Sequence, residues 1–463
     1  MNSNVSYFAL ASALAFTAVP ASAQSHEELL GELAEMRAAM AQMAARIDSL
    51  ESELEGVEAE AEAAQVQAAT ASQFAETALT TAEQASNDAE SGAAIAFKGS
   101  PQISTGDGWS FKPRGRIQVD GGILSVPDST GRSDGFGSEI RRARMGVSGD
   151  IPGGFGYKVE IDFAGSDLNV TDAIISYETG NVEILAGQLN TFQGLEELTS
   201  SLHTSFIERS AWTDAFGFER RVGVAAVVKS GDLLLQGGAF SDNMNDLSNQ
   251  NWSVDGRAVF APKIGDTQLH FGGSLHYNQL EDGSTVRYRQ RPLVHFASDR
   301  FVNTDQLAAS SEFGLGLESA IIAGPFHAAA EAYWQNVDMP LTMSDPTFFG
   351  GSIEVGYYLT EGDTRGYKSG KFDRSKPANP AGEGGFGSVQ VNLRYDRLDL
   401  TDAGVVGGTQ DGIMASLVWR PTDYTMLLFN YARLEYSDAV FATAAGLTDY
   451  NVDSFAIRAQ IDF

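Results

Sequence analysis

Apolar and polar residues alternate along most of the chain, from about residue 111 to the C-terminus, in segments such as RIQVDGGIL, GYKVEIDF and TMLLFNYARLEY. A two-residue period predicts β-strands with one apolar and one polar face. Short turn motifs, among them IPGGFG, ETGN and RPTD, separate many of these segments, and the other connections are longer and polar. Short turns at one end of the strands and long loops at the other are typical of a transmembrane β-barrel.

The alternation predicts sixteen antiparallel strands, at residues 111–125, 138–151, 156–165, 170–179, 182–190, 220–230, 233–241, 251–263, 267–280, 310–323, 325–338, 347–360, 387–401, 409–420, 424–437 and 452–463. An even count returns the last strand to the side where the first began, as a closed barrel requires. The stretch 286–296 also alternates, but a further strand would break this parity, so we place it in a long outer loop. The connection 361–386 is unusual because it is long although it falls on the short-turn side.

The C-terminal strand keeps its pattern to the last residue, since Phe455, Ile457, Ala459, Ile461 and Phe463 share one face. In a closed barrel the last strand pairs with the first and no edge stays open, so the pattern is expected to continue to the end. A pair of soluble β-sheets is the alternative, but it does not explain why the alternation reaches the final phenylalanine.

The N-terminal residues 1–23 end in small residues after an apolar stretch, which predicts a signal peptide cleaved after Ala23. A single N-terminal membrane anchor is the alternative.

Residues 24–91 then carry apolar residues at alternating spacings of four and three, in one unbroken register. This seam predicts a left-handed coiled coil, which we place in the periplasm, with a lone alanine-rich helix as the alternative. Residues 92–110 form a linker, and residues 111–463 form the barrel domain.

The composition narrows the function. The chain has 31 Lys and Arg against 61 Asp and Glu, a formal net charge of −30, which disfavours nucleic-acid binding. Beyond residue 97 there remain 29 basic and 46 acidic residues, a net charge of −17. The chain has no cysteine, which excludes disulfides and thiolate chemistry.

Residues 138–242 carry more specific motifs: the run Arg141-Arg142-Ala143-Arg144, then YKVEIDFAG, then GQLNTF followed by LEELTSS and FIER. These motifs resemble the phosphate-selective porin O/P family of Gram-negative outer membranes. The similarity extends more weakly to the C-terminus, through VQVNLRYDRLDL and TMLLFNYARLEY. The resemblance implies a homotrimer of sixteen-stranded barrels, each with its own pore. It also implies a third outer loop, here 191–219, that folds inward and narrows the channel.

Alternation places basic side chains of the first two strands on the lumen side, where they avoid the cost of facing lipid. Arginine forks suit phosphate oxygens, and rings of Arg and Lys favour anions. The predicted pore-lining and anion-binding residues are Lys112, Arg114, Arg116, Arg142, Arg144, Lys158, Arg209, Arg220 and Arg221. The alternative is that these cations neutralise lumenal carboxylates, namely Glu160, Asp162 and the constriction-loop acids Glu196, Glu197 and Glu208.

Other chemistry is weakly represented. His270 and His276 share a strand face but lie far apart, so no metal site is predicted. Ser201 and His203 are too close in sequence to serve as nucleophile and base of a barrel hydrolase. The chain is therefore predicted to be no enzyme and to need no cofactor.

The sequence as a whole predicts an outer-membrane porin for passive diffusion of small hydrophilic solutes, with anions such as phosphate as candidates. Its partners are then these solutes, outer-membrane lipid and two further copies of the chain. The alternative is a structural tether, in which the coiled coil spans from the outer membrane towards the cell wall.

Overall fold

The computed structural model describes residues 40, 62, 64–81, 93–132, 134–165, 168–246, 250–340 and 344–463. Residues 64–81 form one helix. The predicted signal peptide and most of the predicted coiled coil lie outside the described residues. No helix in the described ranges is long and apolar enough to cross a membrane.

The predicted linker contains a β-hairpin, Ala94–Lys98 and Ser100–Ser104, which continues into the barrel domain. Its second strand pairs with the start of the first barrel strand, where Ile103 lies opposite Phe111. The hairpin therefore adds two strands at the short-turn end of the barrel, where only a linker was predicted.

Sixteen long antiparallel strands, labelled β1 to β16, follow in chain order. Their bounds are Ser110–Ser125, Gly135–Ile151, Phe155–Asp162, Asn169–Thr179, Val182–Asn190, Arg220–Ser230, Leu233–Phe240, Trp252–Phe260, Thr267–Gln279, Ser311–Ala323, Phe326–Asp338, Thr347–Tyr358, Ser388–Asp402, Val405–Thr422, Thr425–Ser437 and Tyr450–Asp462. The predicted strand count is thus confirmed, and the bounds differ from prediction by a few residues at most. The largest difference is in β14, which begins at Val405 because it pairs with β13 almost to the tip of their connection.

Every barrel strand pairs with the next, and β16 pairs with β1 in a register that sets Asp462 opposite Arg116 and Asp453 opposite Ser125. The final residue takes part in this closure, because the Phe463 amide donates to the Gly115 carbonyl oxygen at 3.0 Å. Pairing along the seam is therefore continuous from Arg116 to Ser125, as a strand in hydrocarbon needs.

The outer wall is apolar. Side chains such as Leu275 in β9, Leu317 in β10 and Ile353 in β12 point outward and are about half exposed. Aromatic pairs lie near both borders of this band, with Trp334 against Phe349 towards the long loops and Trp419 against Phe386 at the short turns. An apolar belt between aromatic borders is the surface that a bilayer covers.

Short elements make up the connections. The outer loop after β5 contains two helices, α1 (Leu195–Leu198) and α2 (Ala211–Ala215). The loop that holds residues 286–296 contains only two-residue strands, so that stretch is indeed no barrel strand. The remaining elements are the 3-10 turns Asp128–Thr130 and Met244–Asp246 and the short strands Lys263–Ile264, Thr285–Val286, Arg289–Gln290, Val302–Asn303, Leu307–Ala308, Gly366–Lys368 and Lys371–Asp373.

Candidate functional site: a basic channel interior

The loop 191–219 crosses the inside of the barrel and is held by inward-facing side chains of the wall. Both carboxylate oxygens of Glu331 accept backbone N–H groups at the start of α1, from Leu195 at 2.7 Å and Glu196 at 2.8 Å. Asp396 accepts the Ala211 N–H at the start of α2 at 2.9 Å. Acceptors suit these positions because the first N–H groups of a helix have no partner within the helix.

A second segment, residues 359–387, enters the interior from the short-turn end. Its tip is held by wall side chains, since Arg257 Nη2 donates to the Gly370 carbonyl at 2.7 Å and His270 Nδ1 lies 2.6 Å from the Tyr367 hydroxyl. Arg365 Nη2 donates to the His203 carbonyl of the loop 191–219 at 2.6 Å. The segment that was unusually long in sequence therefore meets the third outer loop inside the barrel.

Two cavities lie on either side of the loop 191–219. The inner cavity, of about 750 Å³, opens towards the short turns, and the outer cavity, of about 360 Å³, lies beneath the outer loop that holds Arg291 and His295. Four charged residues line both cavities and so mark the boundary between them: Arg142, Glu197, Arg209 and Arg220.

The inner cavity is strongly basic. Thirteen Lys and Arg residues line it, against five Asp and Glu residues, a net charge of +8 in a chain whose total is −30. The cations are Lys112, Arg114, Arg116, Arg142, Arg144, Lys158, Arg209, Arg220, Lys229, Arg257, Lys368, Lys371 and Arg374. The acidic excess of the chain therefore lies elsewhere.

Some of the predicted cations do neutralise lumenal carboxylates. Arg116 and Arg144 both contact Glu160 at 3.1 Å, and Arg144 also contacts Asp162 at 2.7 Å. Lys158 and Arg220 share a third acid, Asp172. These pairs hold the side chains against the wall and leave them little net charge.

Other cations of the inner cavity have no carboxylate within ion-pair distance among the described residues: Lys112, Arg114, Arg142, Lys229, Lys368 and Lys371. Arg142, for example, donates only to Gln118 Oε1, at 3.0 Å. Uncompensated charges of one sign in an enclosed lumen attract counter-ions strongly, because low-dielectric walls focus the field.

Two of the predicted site residues lie away from both cavities. Arg221 is held at the foot of the next outer loop by Asp242 at 3.1 Å and Asn278 at 3.2 Å. Glu196 is turned into the protein, where it contacts Arg394 at 2.6 Å. Both side chains are bound by residues from other strands or loops. Alternation within one strand does not predict such contacts.

The other two loop acids face the channel. Glu208 lies at the outer cavity and is bound by Arg141 at 2.9 Å and by Arg458 at 3.2 Å. Burial alone would raise the pKa of Glu208, but Arg141 and Arg458 hold it well below the usual range. Burial raises the pKa of Glu197 even though Arg209 lies 3.6 Å away.

Arg141 was not predicted to face the lumen, because alternation with Arg142 puts it on the lipid side. The register between β1 and β2 shifts at this point, so that Gln118 lies opposite Arg142 and Val119 lies opposite Ile140. Arg141 is the extra residue of a β-bulge, and two successive arginines therefore point inward. The register shift depends on the partner strand, so no signal within β2 reveals it.

Some of the other lumenal cations that the sequence analysis missed could have been predicted from the alternation. Lys229 follows Val227 at the two-residue period of an inward face, and Arg257 follows Asp255 in the same way. Lys368, Lys371 and Arg374 all belong to the segment 359–387, whose unusual length was the only signal.

The histidine and serine candidates have structural partners. His270 lies 3.3 Å from Glu318, and His276 lies 2.8 Å from Asp255. Ser201 Oγ accepts from Arg116 Nη1 at 3.1 Å. Burial and the nearby Arg420 lower the pKa of His203 well below its usual value, so the imidazole is neutral.

A closed barrel of sixteen antiparallel strands, with an apolar outer belt and a charged interior, defines the class of outer-membrane porins. The chain belongs to the family of phosphate-selective porins O and P, whose family model matches residues 111–463. This is a family of channels rather than of enzymes.

A relative from Caulobacter vibrioides, an uncharacterised protein, is 45% identical over 384 residues, which cover 80% of this chain and 77% of the relative. Among solved structures, a loop L8 deletion mutant of OmpT, an outer membrane protein of Vibrio cholerae, has a TM-score of 0.50 at 12% identity and covers 77% of this chain and 100% of its own. The high-pH structure of Pseudomonas putida OprB has a TM-score of 0.50 at 10% identity and covers 77% of this chain and 94% of its own. At such identities these two structures support the fold alone.

Proposed function

We propose that this porin is a passive diffusion channel for small hydrophilic solutes and that it prefers anions, phosphate among them. The observation that carries the proposal is the charge of the inner cavity, +8 in a chain of −30. Selectivity of a pore follows the charges that line it, and Arg and Lys favour anions. The net charge of the whole chain does not predict this preference, because most acids lie away from the cavity.

We propose that the path is narrowest at the boundary between the two cavities, where the loop 191–219 lies against the wall. Three of its four charged residues are cations, and Arg142 among them has no carboxylate partner in the described part of the chain. A solute that passes here must shed part of its water and contact these guanidinium groups. An anion then exchanges water for charge-assisted hydrogen bonds, whereas a cation loses water without replacement.

The assembly and its placement are also part of the proposal. The heptad register of residues 24–91 supports a coiled coil between copies, which we place in the periplasm below a homotrimer of barrels in outer-membrane lipid. No contact in the described residues favours a tether over a channel, so the tether is not proposed as the function.

The reversal potential of single channels in a planar bilayer under a KCl gradient tests the proposal. We expect anion selectivity, and we expect a lower selectivity for Arg114→Gln/Arg142→Gln, which removes two unpaired lumenal cations. The matched control is Arg397→Gln/Arg433→Gln, which removes two cations from the outer wall, where Arg397 pairs with Asp411 and Arg433 with Asp453. Cation selectivity of the unmodified channel would refute the proposal.

A further inference from the structure

The wall of the inner cavity is divided into a basic part and an apolar part. The apolar patch consists of Ile174, Leu185, Phe192, Val227 and Leu234, which come from β4 to β7 and from the start of the loop 191–219. Inward positions of a water-filled barrel are ordinarily polar, since outward and inward residues alternate between lipid and water. A continuous apolar patch on the inner side therefore departs from what diffusion of inorganic ions needs.

The patch is continuous with a small core behind it. Val227, Leu234 and Phe192 are almost fully buried and pack in one cluster with Phe240 and Val259. Ile174 and Leu185 are only partly buried and pack against the edge of the same cluster. The patch thus has a rigid backing and an accessible edge, which consists of these two side chains.

Cations border the patch on both sides. Ile174 lies directly opposite Lys158 in the register of β3 and β4, and Leu234 lies opposite Lys229 in the register of β6 and β7. Directly paired residues have Cβ atoms about 4.5–5.5 Å apart. Lys158 is paired with Asp172, whereas Lys229 has no carboxylate within ion-pair distance among the described residues. The ammonium group of Lys229 and an apolar surface are therefore available within the length of one small organic molecule.

From this arrangement we infer that the preferred substrates are organic anions that carry an apolar group next to the charge. The inference rests on the proposed anion preference and specifies its substrate class. The anionic group of such a molecule lies against the cations, while its hydrocarbon part covers Ile174 and Leu185 and displaces water from them. Inorganic phosphate gains only the first of these contacts.

Block of the chloride current by phenyl phosphate and by methyl phosphate tests the inference, because the two esters carry the same charged group. We expect phenyl phosphate to reach half block at a concentration about tenfold lower than methyl phosphate, from the apolar area that the ring covers. The variant Ile174→Thr/Leu185→Thr should bring the two half-blocking concentrations to within about twofold, because it removes the accessible apolar edge. Threonine keeps the strand propensity of these positions.

The matched control is Ile175→Thr/Ile184→Thr, the same change at the adjacent positions that face outward, where Ile175 is 65% and Ile184 is 42% exposed. This control should keep the tenfold difference, and the heat-modifiable gel mobility of both variants reports whether each barrel folds. Lys229→Gln should raise both half-blocking concentrations by the same factor and leave their ratio unchanged.

Equal block by the two esters in an unmodified, anion-selective channel would overturn the inference and leave the proposed function intact. A ratio that survives in Ile174→Thr/Leu185→Thr would also overturn it, since the preference would then come from another surface. Cation selectivity of the unmodified channel would instead overturn the proposed function itself.

Discussion

Arg458 is one of the wall residues that hold the loop 191–219 in position. Its guanidinium is fully buried and binds both oxygens of Asp120, at 2.7 and 2.6 Å. It also donates to the Ile207 carbonyl of the loop at 2.8 Å and contacts Glu208 at 3.2 Å. Replacing Arg458 by methionine keeps much of the volume and removes all of these contacts.

The cost of Arg458→Met is set by what it leaves behind. Asp120, 2% exposed, contacts no other cation in the described residues, so it becomes a buried charge without a partner. Removing one member of a buried pair costs about 3–5 kcal/mol. Glu208 keeps its contact with Arg141 and adds little. We therefore expect the free energy of unfolding to fall by about 4 kcal/mol.

Urea unfolding in lipid vesicles, followed by tryptophan fluorescence, measures this change. The double variant Asp120→Asn/Arg458→Met removes the stranded charge as well and should recover about 2 kcal/mol, so that the two sites show a clear coupling energy. Single-channel traces of Arg458→Met should also be noisier, because the loop has lost its carbonyl anchor. An unchanged stability of Arg458→Met, or no recovery in the double variant, would refute this reasoning.

Three further predictions concern the channel interior. Glu331→Gln replaces a carboxylate that accepts two N–H groups of α1 by an amide with a single acceptor oxygen. The change should destabilise the loop 191–219 by about 1–3 kcal/mol and increase open-channel noise. Current traces as steady as those of the unmodified channel would argue against a role of Glu331 in holding the loop. Because burial raises the pKa of Glu197, this acid becomes neutral at a higher pH than an exposed glutamate. Anion selectivity should therefore rise as the pH falls through that range, and reversal potentials of Glu197→Gln should lack this rise. An identical rise in Glu197→Gln would show that another group causes it. Replacing Gly366–Asp373 by a two-residue turn should increase unitary conductance and reduce anion selectivity, since it removes Lys368 and Lys371; unchanged conductance would show that the segment does not limit the current.

The strand pattern of this barrel was predictable because each strand is amphipathic by itself. Parity of the strands also correctly excluded the stretch 286–296 as a barrel strand. The inward positions of Lys112, Arg114 and Arg144 follow from the same alternation and needed no tertiary information. The alternation within each strand was therefore sufficient to predict most of the barrel strands and the orientation of these side chains.

The contents of the barrel were less predictable, because they depend on contacts between distant segments. The bulge that turns Arg141 inward appears only when the register of two strands is known. The partners of Arg221 and Glu196, namely Asp242 and Arg394, come from other parts of the chain. The basic character of the lumen could not be predicted from the net charge of the chain. That net charge sums over all surfaces, whereas selectivity depends only on the charges that line the lumen.

The hydrogen bond from Arg365 to the His203 carbonyl joins the two segments that enter the barrel from opposite ends. The interior of the channel is therefore shaped by both segments and by the contact between them. We therefore expect a change in the length of one segment to alter the position of the other. A change that widens the passage at one end of the barrel therefore also acts on the segment that enters from the other end.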